Sequence, residues 1–133
     1  MRASRGIAYP PIADHGVIGH LHTAALICTD GTVDWYCSPR FDSPSIFASL
    51  LDTRLGGHFA LRPAVGEWQN KQLYFPDTNV LITRFLTADG VAEVQDFMPV
   101  GEIADDLQRD QLVRRVISVR GRMRFELECA PPL

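Results

Sequence analysis

The stretch AALICTDGTVDWYC, residues 24–37, holds two short apolar runs on either side of Asp30-Gly31. An Asp-Gly pair between two such runs is the strongest short-range sign of a β-hairpin, because both residues accept the backbone angles of a tight hairpin turn. The pattern therefore predicts that residues 24–28 and 33–37 pair as antiparallel strands.

The three cysteines are Cys28, Cys37 and Cys129, an odd number without CxxC spacing. In the predicted hairpin Cys28 lies opposite Val33, and Cys37 follows about 13 Å further along at the rise of a strand. That separation is too large for a disulfide. We therefore expect reduced thiols and a cytoplasmic protein.

Two further hairpins are predicted later in the chain, one around Asp89-Gly90 and one with its turn near Gly121. Asp89-Gly90 joins residues 80–88 to 91–98 in VLITRFLTADGVAEVQDFM, which repeats the hairpin pattern. A third hairpin is predicted in LVRRVISVRGRMRFELEC, with its turn near Gly121 and an alternating second strand whose apolar face we expect to be buried. The segments GHFALRP and QLYF are weaker strand candidates.

Helix signals are confined to residues 43–52. Ser43 suits an N-cap and Pro44 the first helical position, where its missing N–H costs nothing. The apolar residues of this segment then fall on one helical face, and these are Ile46, Phe47, Leu50 and Leu51. We predict a mainly β fold, an antiparallel β-sandwich with one short helix near 43–52.

The length of 133 residues corresponds to one domain, 1–133. The chain stops at CAPPL directly after an alternating strand, so we expect the sandwich to be incomplete at its C-terminal end. The net charge of −3 is unlike that of a nucleic-acid-binding surface. No apolar run reaches the length of a membrane span or a signal peptide, so neither nucleic acid nor membrane is an expected partner.

Several motifs resemble the N-terminal domain of family 15 glycoside hydrolases, in particular the bacterial trehalase-like and glucoamylase-like branch. They are HGVIGHLHTAALICTDGTVDWYCSPRFDSPSIFASLLD, GGHFALRP, YFPDTNVLITRF, DGVAEVQDFMPV and LVRRVISVRG, in order along nearly the whole chain. The resemblance implies a β-sandwich placed before an (α/α)6 barrel that hydrolyses α-glucosidic bonds with inversion. His20 departs from the family, which usually has Asp or Asn after Ile-Gly, and this puts a hydrogen-bonding role there in doubt.

In that family two glutamates of the barrel act as general acid and general base, and they lie downstream of the matched region. An inverting pair must hold two carboxyl groups about 6.5–9.5 Å apart, and 133 residues supply no barrel to do so. The resemblance therefore implies a domain without catalytic residues or cofactor, inactive alone, whose partner is the barrel in cis. The choice among trehalose, maltodextrin and other α-glucosides is left open.

Two other interpretations remain open: a free-standing carbohydrate-binding or interaction module, and a truncated relic that forms a homo-oligomer through exposed strand edges. The expected surfaces differ. A docking domain should expose an apolar patch or unpaired strand edges, whereas a free module should have covered edges and a compact aromatic platform.

The candidate site residues are Trp35, Arg40 and Asp42. In one interpretation they face the barrel or its sugar, with Trp35 stacking on a pyranose ring. In the other, Arg40 and Asp42 form a local ion pair and Trp35 lies in the core.

His20 and His22 have the spacing of two metal ligands on one strand face, but no third ligand stands at diagnostic spacing, so no metal is predicted. Asp96 is expected at a solvated strand end. A group of arginines is expected on a solvated face of the third hairpin, and these are Arg114, Arg115, Arg120, Arg122 and Arg124.

Overall fold

A computed structural model describes residues 11–19, 23–37, 45–49, 51, 56–99 and 111–130. These residues form ten strands in two antiparallel sheets, preceded by a short 3-10 turn at Ile12–Asp14. The predicted mainly β class is confirmed. None of the described segments is a helix with the length and apolar character of a membrane span.

The first sheet has the strand order β1-β2-β3-β5-β10, and β4 also pairs with β3. Its strands are β1 (His15–Gly19), β2 (Ala24–Cys28), β3 (Thr32–Cys37), β4 (Ser45–Phe47), β5 (His58–Pro63) and β10 (Phe125–Ala130). The second sheet has the order β6-β7-β8-β9. Its strands are β6 (Gln69–Tyr74), β7 (Leu81–Leu86), β8 (Gly90–Phe97) and β9 (Val113–Gly121).

Both Asp-Gly hairpins are confirmed. Strands β2 and β3 pair around Asp30-Gly31, and Gly31 has a φ of +89°, which is the left-handed region that favours glycine. Val33 lies opposite Ile27, one residue from the predicted partner Cys28. All three cysteines are free, so the prediction that Cys28 and Cys37 form no disulfide is confirmed.

The two sheets pack face to face across two groups of buried side chains, each containing residues of both sheets. One group contains Ile18, Ala25, Ile27, Val33, Tyr36 and Phe47 of the first sheet together with Leu81 and Met98. The other contains Leu61, Trp68, Phe85 and Val94, with Phe125 packed edge-on against Phe85. This arrangement is the predicted sandwich core.

The predicted helix at 43–52 is wrong, because Ser45–Phe47 forms strand β4. Phe47 lies opposite Tyr36 and is buried beside Phe59, whereas Ile46 is 37% exposed and Leu51 is 73% exposed. Ile46 and Phe47 thus point to opposite faces, as consecutive residues of a strand do. Pairing with β3 and burial of Phe47 outweigh the local helix preference, which is small per residue.

The predicted third hairpin is also wrong, because β9 and β10 belong to different sheets. Strand β9 pairs with β8, and β10 pairs with β5. The residues between them, 122–124, therefore carry the chain from one sheet to the other. Because of this crossing only Met123 and Phe125 of the predicted apolar face are partly buried, while Leu127 and Cys129 are exposed.

Candidate functional site

The outer face of the first sheet carries a row of apolar side chains that includes the predicted site residue Trp35. Val17, Leu26 and Trp35 are directly paired across β1, β2 and β3. The residues on either side of Leu26 in β2 point into the core, so this row faces away from it. Val17 is 50% exposed, and Leu26 and Trp35 are half-buried. Trp35 is therefore not a core residue.

A β-bulge next to Trp35 changes the direction of one side chain. Leu26 pairs with Trp35 and Ile27 pairs with Val33, so Asp34 is an extra residue on β3. A bulge of this kind places two consecutive side chains on one side of a sheet and often directs a side chain toward a functional site. Asp34 thereby joins Trp35 on the outer face, although its own side chain is fully buried.

Asp34 is the centre of a buried network of hydrogen bonds. Its Oδ2 lies 2.6 Å from Nε2 of His15, and its Oδ1 accepts a hydrogen bond of 2.6 Å from Oγ of Ser49. Nδ1 of His15 lies 2.9 Å from the carbonyl oxygen of Pro11. The network thus joins β1 and β3 to the segment that follows β4.

Cys28 lies beside this network, because it pairs directly with His15 across β1 and β2. The imidazole nitrogen of His15, the sulfur of Cys28 and a carboxylate oxygen of Asp34 all lie within 4.8 Å of one another. These are atom types that bind transition metals. In the part of the chain that the structure describes, this is the one group of three or more such side chains close enough to share an ion.

Four residues singled out from the sequence lie outside the described residues: Arg40, Asp42, His20 and His22. Whether Arg40 and Asp42 contact a sugar or each other therefore stays a prediction. Sequence reasoning missed the network around Asp34. The signal lay in DGTVDWYC, where a charged residue stands between apolar residues of a central strand, which requires a buried partner.

A second buried charge cluster joins the two sheets. Nε of Arg114 donates to Oδ1 of Asp96 at 2.7 Å, and its other nitrogens donate to the carbonyl oxygens of Phe59 and Gly31 at 3.0 and 2.8 Å. The guanidinium also lies over the ring of Phe59. Burial raises the pKa of Asp96, and Arg114 offsets part of that increase.

The prediction of a solvated strand end at Asp96 and a solvated position for Arg114 is therefore wrong. The side chains of Arg114 and Asp96 are 2% and 0% exposed. Their charges are buried because they are paired across β8 and β9 and because Arg114 satisfies two carbonyl groups of the first sheet. The other predicted arginines that the structure describes on β9, Arg115 and Arg120, are exposed as expected.

The two lateral edges of the sandwich differ in how they are covered. On one side the hydroxyl of Tyr74 in β6 accepts a hydrogen bond from the amide of Val17 and donates one to its carbonyl oxygen. Gln72 of β6 donates to the carbonyl groups of Ile27 and Cys28. The hydroxyl of Tyr74 thus covers the backbone of the edge strand β1 at Val17, which is a common way of protecting a sheet edge, and Gln72 links β6 to the end of β2.

On the other side, β9 and β10 are the edge strands of their sheets, and no other described strand pairs with their outer edges. Val116 and Val119 of β9 are 44% and 54% exposed, and Leu127 of β10 is 65% exposed. Edge strands with exposed apolar side chains are typical of a surface that another segment or protein covers. We call β9 and β10 together the open side.

A model of the family described as "Trehalase-like, N-terminal" matches residues 4–132. The chain belongs to this family. Its relatives include a trehalase of Mycolicibacterium smegmatis, 34% identical over 92% of this chain, and a trehalase of Thermoplasma volcanium, 41% identical over 71%. Trehalase 1 of Sulfolobus acidocaldarius is 44% identical over 67% of the chain. No solved structure gave a significant match.

The trehalase-like N-terminal domain spans only a small part of these relatives. It covers 20% of the Mycolicibacterium protein and 15% of each of the other two. The predicted resemblance to a trehalase-type N-terminal domain is thereby confirmed, and each relative has a much larger part that this chain does not match.

Proposed function

We propose that this chain is the non-catalytic N-terminal domain of a family 15 glycoside hydrolase of trehalase type, and that its open side docks on the catalytic (α/α)6 barrel in cis. The observation that carries the proposal is the difference between the two sides of the sandwich. On one side the hydroxyl of Tyr74 covers the backbone of the edge strand β1 at Val17, whereas the other side exposes Val116, Val119 and Leu127 on the edge strands β9 and β10.

The unmatched part of the relatives is the occupant we propose for the open side. It makes up most of each relative, so a large partner is attached to this domain within one polypeptide. Burying each exposed valine or leucine contributes on the order of 1–2 kcal/mol. Such a contact requires no separate binding partner, because the link through the chain keeps the effective concentration high.

The buried carboxylates support a non-catalytic role. Asp34 and Asp96 are both fully buried, and each is hydrogen-bonded to neighbouring side chains. An inverting glycosidase needs two carboxyl groups that reach the same sugar, with room for a water molecule. Neither carboxylate has such access, so we assign the hydrolysis of α-glucosidic bonds to the barrel.

Trp35 supports a contribution of the outer face to the substrate entrance. Its indole lies on the same face as Leu26 and precedes the segment with Arg40 and Asp42 by a few residues. We propose that Trp35 packs against the barrel beside the glucoside pocket, with Arg40 and Asp42 at the rim. The free thiols of Cys28 and Cys37 support a reducing, cytoplasmic location.

The test is a chimaera in which this chain replaces the matched N-terminal region of the Mycolicibacterium smegmatis trehalase. We expect the chimaera to hydrolyse trehalose and the chain alone not to do so. Val119→Glu and Leu127→Glu should each reduce the activity at least about tenfold, because a buried unpaired charge costs more than 1.4 kcal/mol. Phe75→Glu is the matched control, since Phe75 is 52% exposed and follows Tyr74 on the covered side.

Hydrolysis of trehalose by the chain alone would contradict the proposal. Equal losses from Val119→Glu, Leu127→Glu and Phe75→Glu in the chimaera would show that the open side is not the docking surface. Binding of glucosides by the chain alone, unaffected by Val119→Glu, would instead favour the free-standing carbohydrate-binding module.

A further inference from the structure

Three side chains of types that bind metals, those of His15, Cys28 and Asp34, lie together on the outer face of the first sheet, away from the open side. The side chains of His15 and Asp34 are 1% and 0% exposed, and Cys28 is 4% exposed. They come from three adjacent strands, β1, β2 and β3. Their ligand atoms lie within 4.8 Å of one another.

The backbone fixes the positions of all three side chains. His15 and Cys28 are directly paired in the β1–β2 register, so their side chains lie on the same face of the sheet. Asp34 reaches that face because it is the extra residue of the β3 bulge. Without the bulge, simple alternation along β3 would separate Asp34 from Trp35 by placing them on opposite faces.

The groups around these side chains are those that normally support metal ligands. A histidine that binds a metal donates its other ring N–H to a carbonyl or carboxylate, and a carboxylate ligand accepts a further hydrogen bond. Here Nδ1 of His15 faces the carbonyl oxygen of Pro11, so that Nε2 points at Asp34. Ser49 donates to the other oxygen of the Asp34 carboxylate.

We propose that His15 through Nε2, Cys28 through its thiolate and Asp34 through Oδ2 bind a zinc ion. Zinc accepts nitrogen, sulfur and oxygen ligands together in a tetrahedral site. One water molecule would be the fourth ligand, while Ser49 Oγ keeps its hydrogen bond to the other oxygen of the Asp34 carboxylate. The inference concerns only this side-chain cluster and does not depend on the docking function of the open side.

The charges of the cluster balance when zinc is bound. Both ring nitrogens of His15 face oxygen acceptors, so the imidazole donates from both when it is protonated and forms an ion pair with the Asp34 carboxylate. Zinc binding replaces the Nε2 proton of His15 and the thiol proton of Cys28, and both protons pass to solvent. The thiolate and carboxylate then neutralise the two positive charges of zinc, so the buried cluster stays neutral.

The geometry requires a small movement. Nε2 of His15 and Oδ2 of Asp34 now lie 2.6 Å apart, which is a hydrogen-bond distance. A tetrahedral zinc ion with bonds of about 2.0–2.1 Å needs these two atoms about 3.3 Å apart. A change of side-chain rotation at His15 and Asp34 would supply this difference without a change of the sheet register.

The experiment titrates the metal-free full chain with Co2+ and Zn2+, each alone, under reducing conditions. We expect binding of one ion per chain. The Co2+ complex should show the near-ultraviolet charge-transfer band of a metal–thiolate bond and the visible spectrum of tetrahedral cobalt. Zinc should displace the cobalt and raise the midpoint of urea unfolding, since a ligand that binds only the folded state stabilises it.

Four variants test the assignment of the thiolate ligand and its surroundings. Cys28→Ser should remove the thiolate band and weaken zinc binding at least about 100-fold, and Ser49→Ala should weaken it about 10–100-fold while keeping the band. Cys129→Ser is the matched control, because Cys129 is an exposed cysteine of β10. Cys37→Ser/Cys129→Ser leaves Cys28 as the one thiol of the chain, so any remaining band belongs to it even if Cys28→Ser fails to fold.

Binding of cobalt without a thiolate band in the wild-type chain would overturn the proposal. Loss of the band in Cys37→Ser/Cys129→Ser, with the protein folded, would overturn it as well. An absence of metal binding by the folded wild-type chain would show that the cluster is a hydrogen-bonded ion pair alone. Because these readouts do not involve hydrolysis, they are separate from the test of the docking surface.

Discussion

The ion pair between Arg114 and Asp96 should be a principal link between the two sheets, and Arg114→Met tests this. The substitution keeps a long side chain but removes the guanidinium. Asp96 then loses the two hydrogen bonds from Nε and Nη2 of Arg114, which measure 2.7 and 3.3 Å. It stays fully buried, because the packing of β7 and β8 around it does not depend on Arg114.

The expected loss of folding stability comes from the charge of Asp96, which stays buried without its partner. Removal of one partner of a buried ion pair costs about 3–5 kcal/mol, which is a large part of the total of about 5–15 kcal/mol typical of a domain. The loss of the donor to Gly31 should add little, since its carbonyl oxygen still accepts a hydrogen bond of 3.1 Å from Leu61. Most of the effect should therefore come from Asp96.

Urea unfolding monitored by tryptophan fluorescence measures this effect, because Trp68 is buried in the core. Arg115→Met is the matched control. Arg115 is the next residue of β9 and is exposed, so its substitution should change the free energy of unfolding by less than about 0.5 kcal/mol.

The double variant Arg114→Met/Asp96→Asn removes the buried charge and leaves a neutral amide, which costs about 1–3 kcal/mol if unsatisfied. It should therefore be more stable than Arg114→Met. An effect of Arg114→Met no larger than that of Arg115→Met would refute the reasoning. A double variant less stable than Arg114→Met would show that the unpaired charge is not the cause.

Three further predictions concern stability. Gly31→Ala should lower the free energy of unfolding by about 1–3 kcal/mol, because φ is +89° there. Gly66→Ala is the control: nothing lies within 4 Å of an added Cβ, so it should be nearly neutral in the same urea titration. Tyr74→Phe removes the hydroxyl that covers both backbone groups of Val17, so it should lower the free energy of unfolding by about 0.5–1.5 kcal/mol and increase self-association in sedimentation velocity. Burial raises the pKa of Asp96 above its ordinary value of 3.8, so just above that pH the folded state holds more protons than the unfolded state. The free energy of unfolding should therefore fall, relative to that of Asp96→Asn, as pH rises from 3.8. A difference between the two proteins that does not change with pH would contradict this.

The hairpins at Asp30-Gly31 and Asp89-Gly90 could be predicted because their information is local. Turn geometry and two short apolar runs lie within about fifteen residues, and the paired strands bury those runs on one face. The β class and the separation of Cys28 from Cys37 followed from the same patterns.

The two errors at β4 and at β9–β10 have one physical origin. Ser45–Phe47 has the local signals of a helix, but it forms a strand because it pairs with the C-terminal end of β3, beyond the part paired with β5, and because Phe59 offers a contact for Phe47. Strands β9 and β10 have the local signals of a hairpin, but each has a partner in a different sheet. In both cases contacts distant in sequence outweigh preferences of a few tenths of a kcal/mol per residue.

In the candidate sites, too, the sequence indicates some residues, but contacts distant in sequence decide where they lie. Trp35 could be singled out from the sequence, but its position on the outer face depends on its pairing with Leu26. The contact between His15 and Asp34 spans nineteen residues, and that between Arg114 and Gly31 spans eighty-three. No spacing rule connects such residues, so the pattern predicted a solvated position for Arg114 and gave no sign of the contact at His15.

The sequence by itself determined that this protein is a β-rich domain of trehalase type, because turn residues, alternation and family motifs are properties of short segments. Only the tertiary structure decided which charges are buried, which strand edges are covered and which side chains meet at Asp34. Those features depend on the register of strands far apart in the chain. A single bulge at Asp34 sets which face its carboxylate occupies.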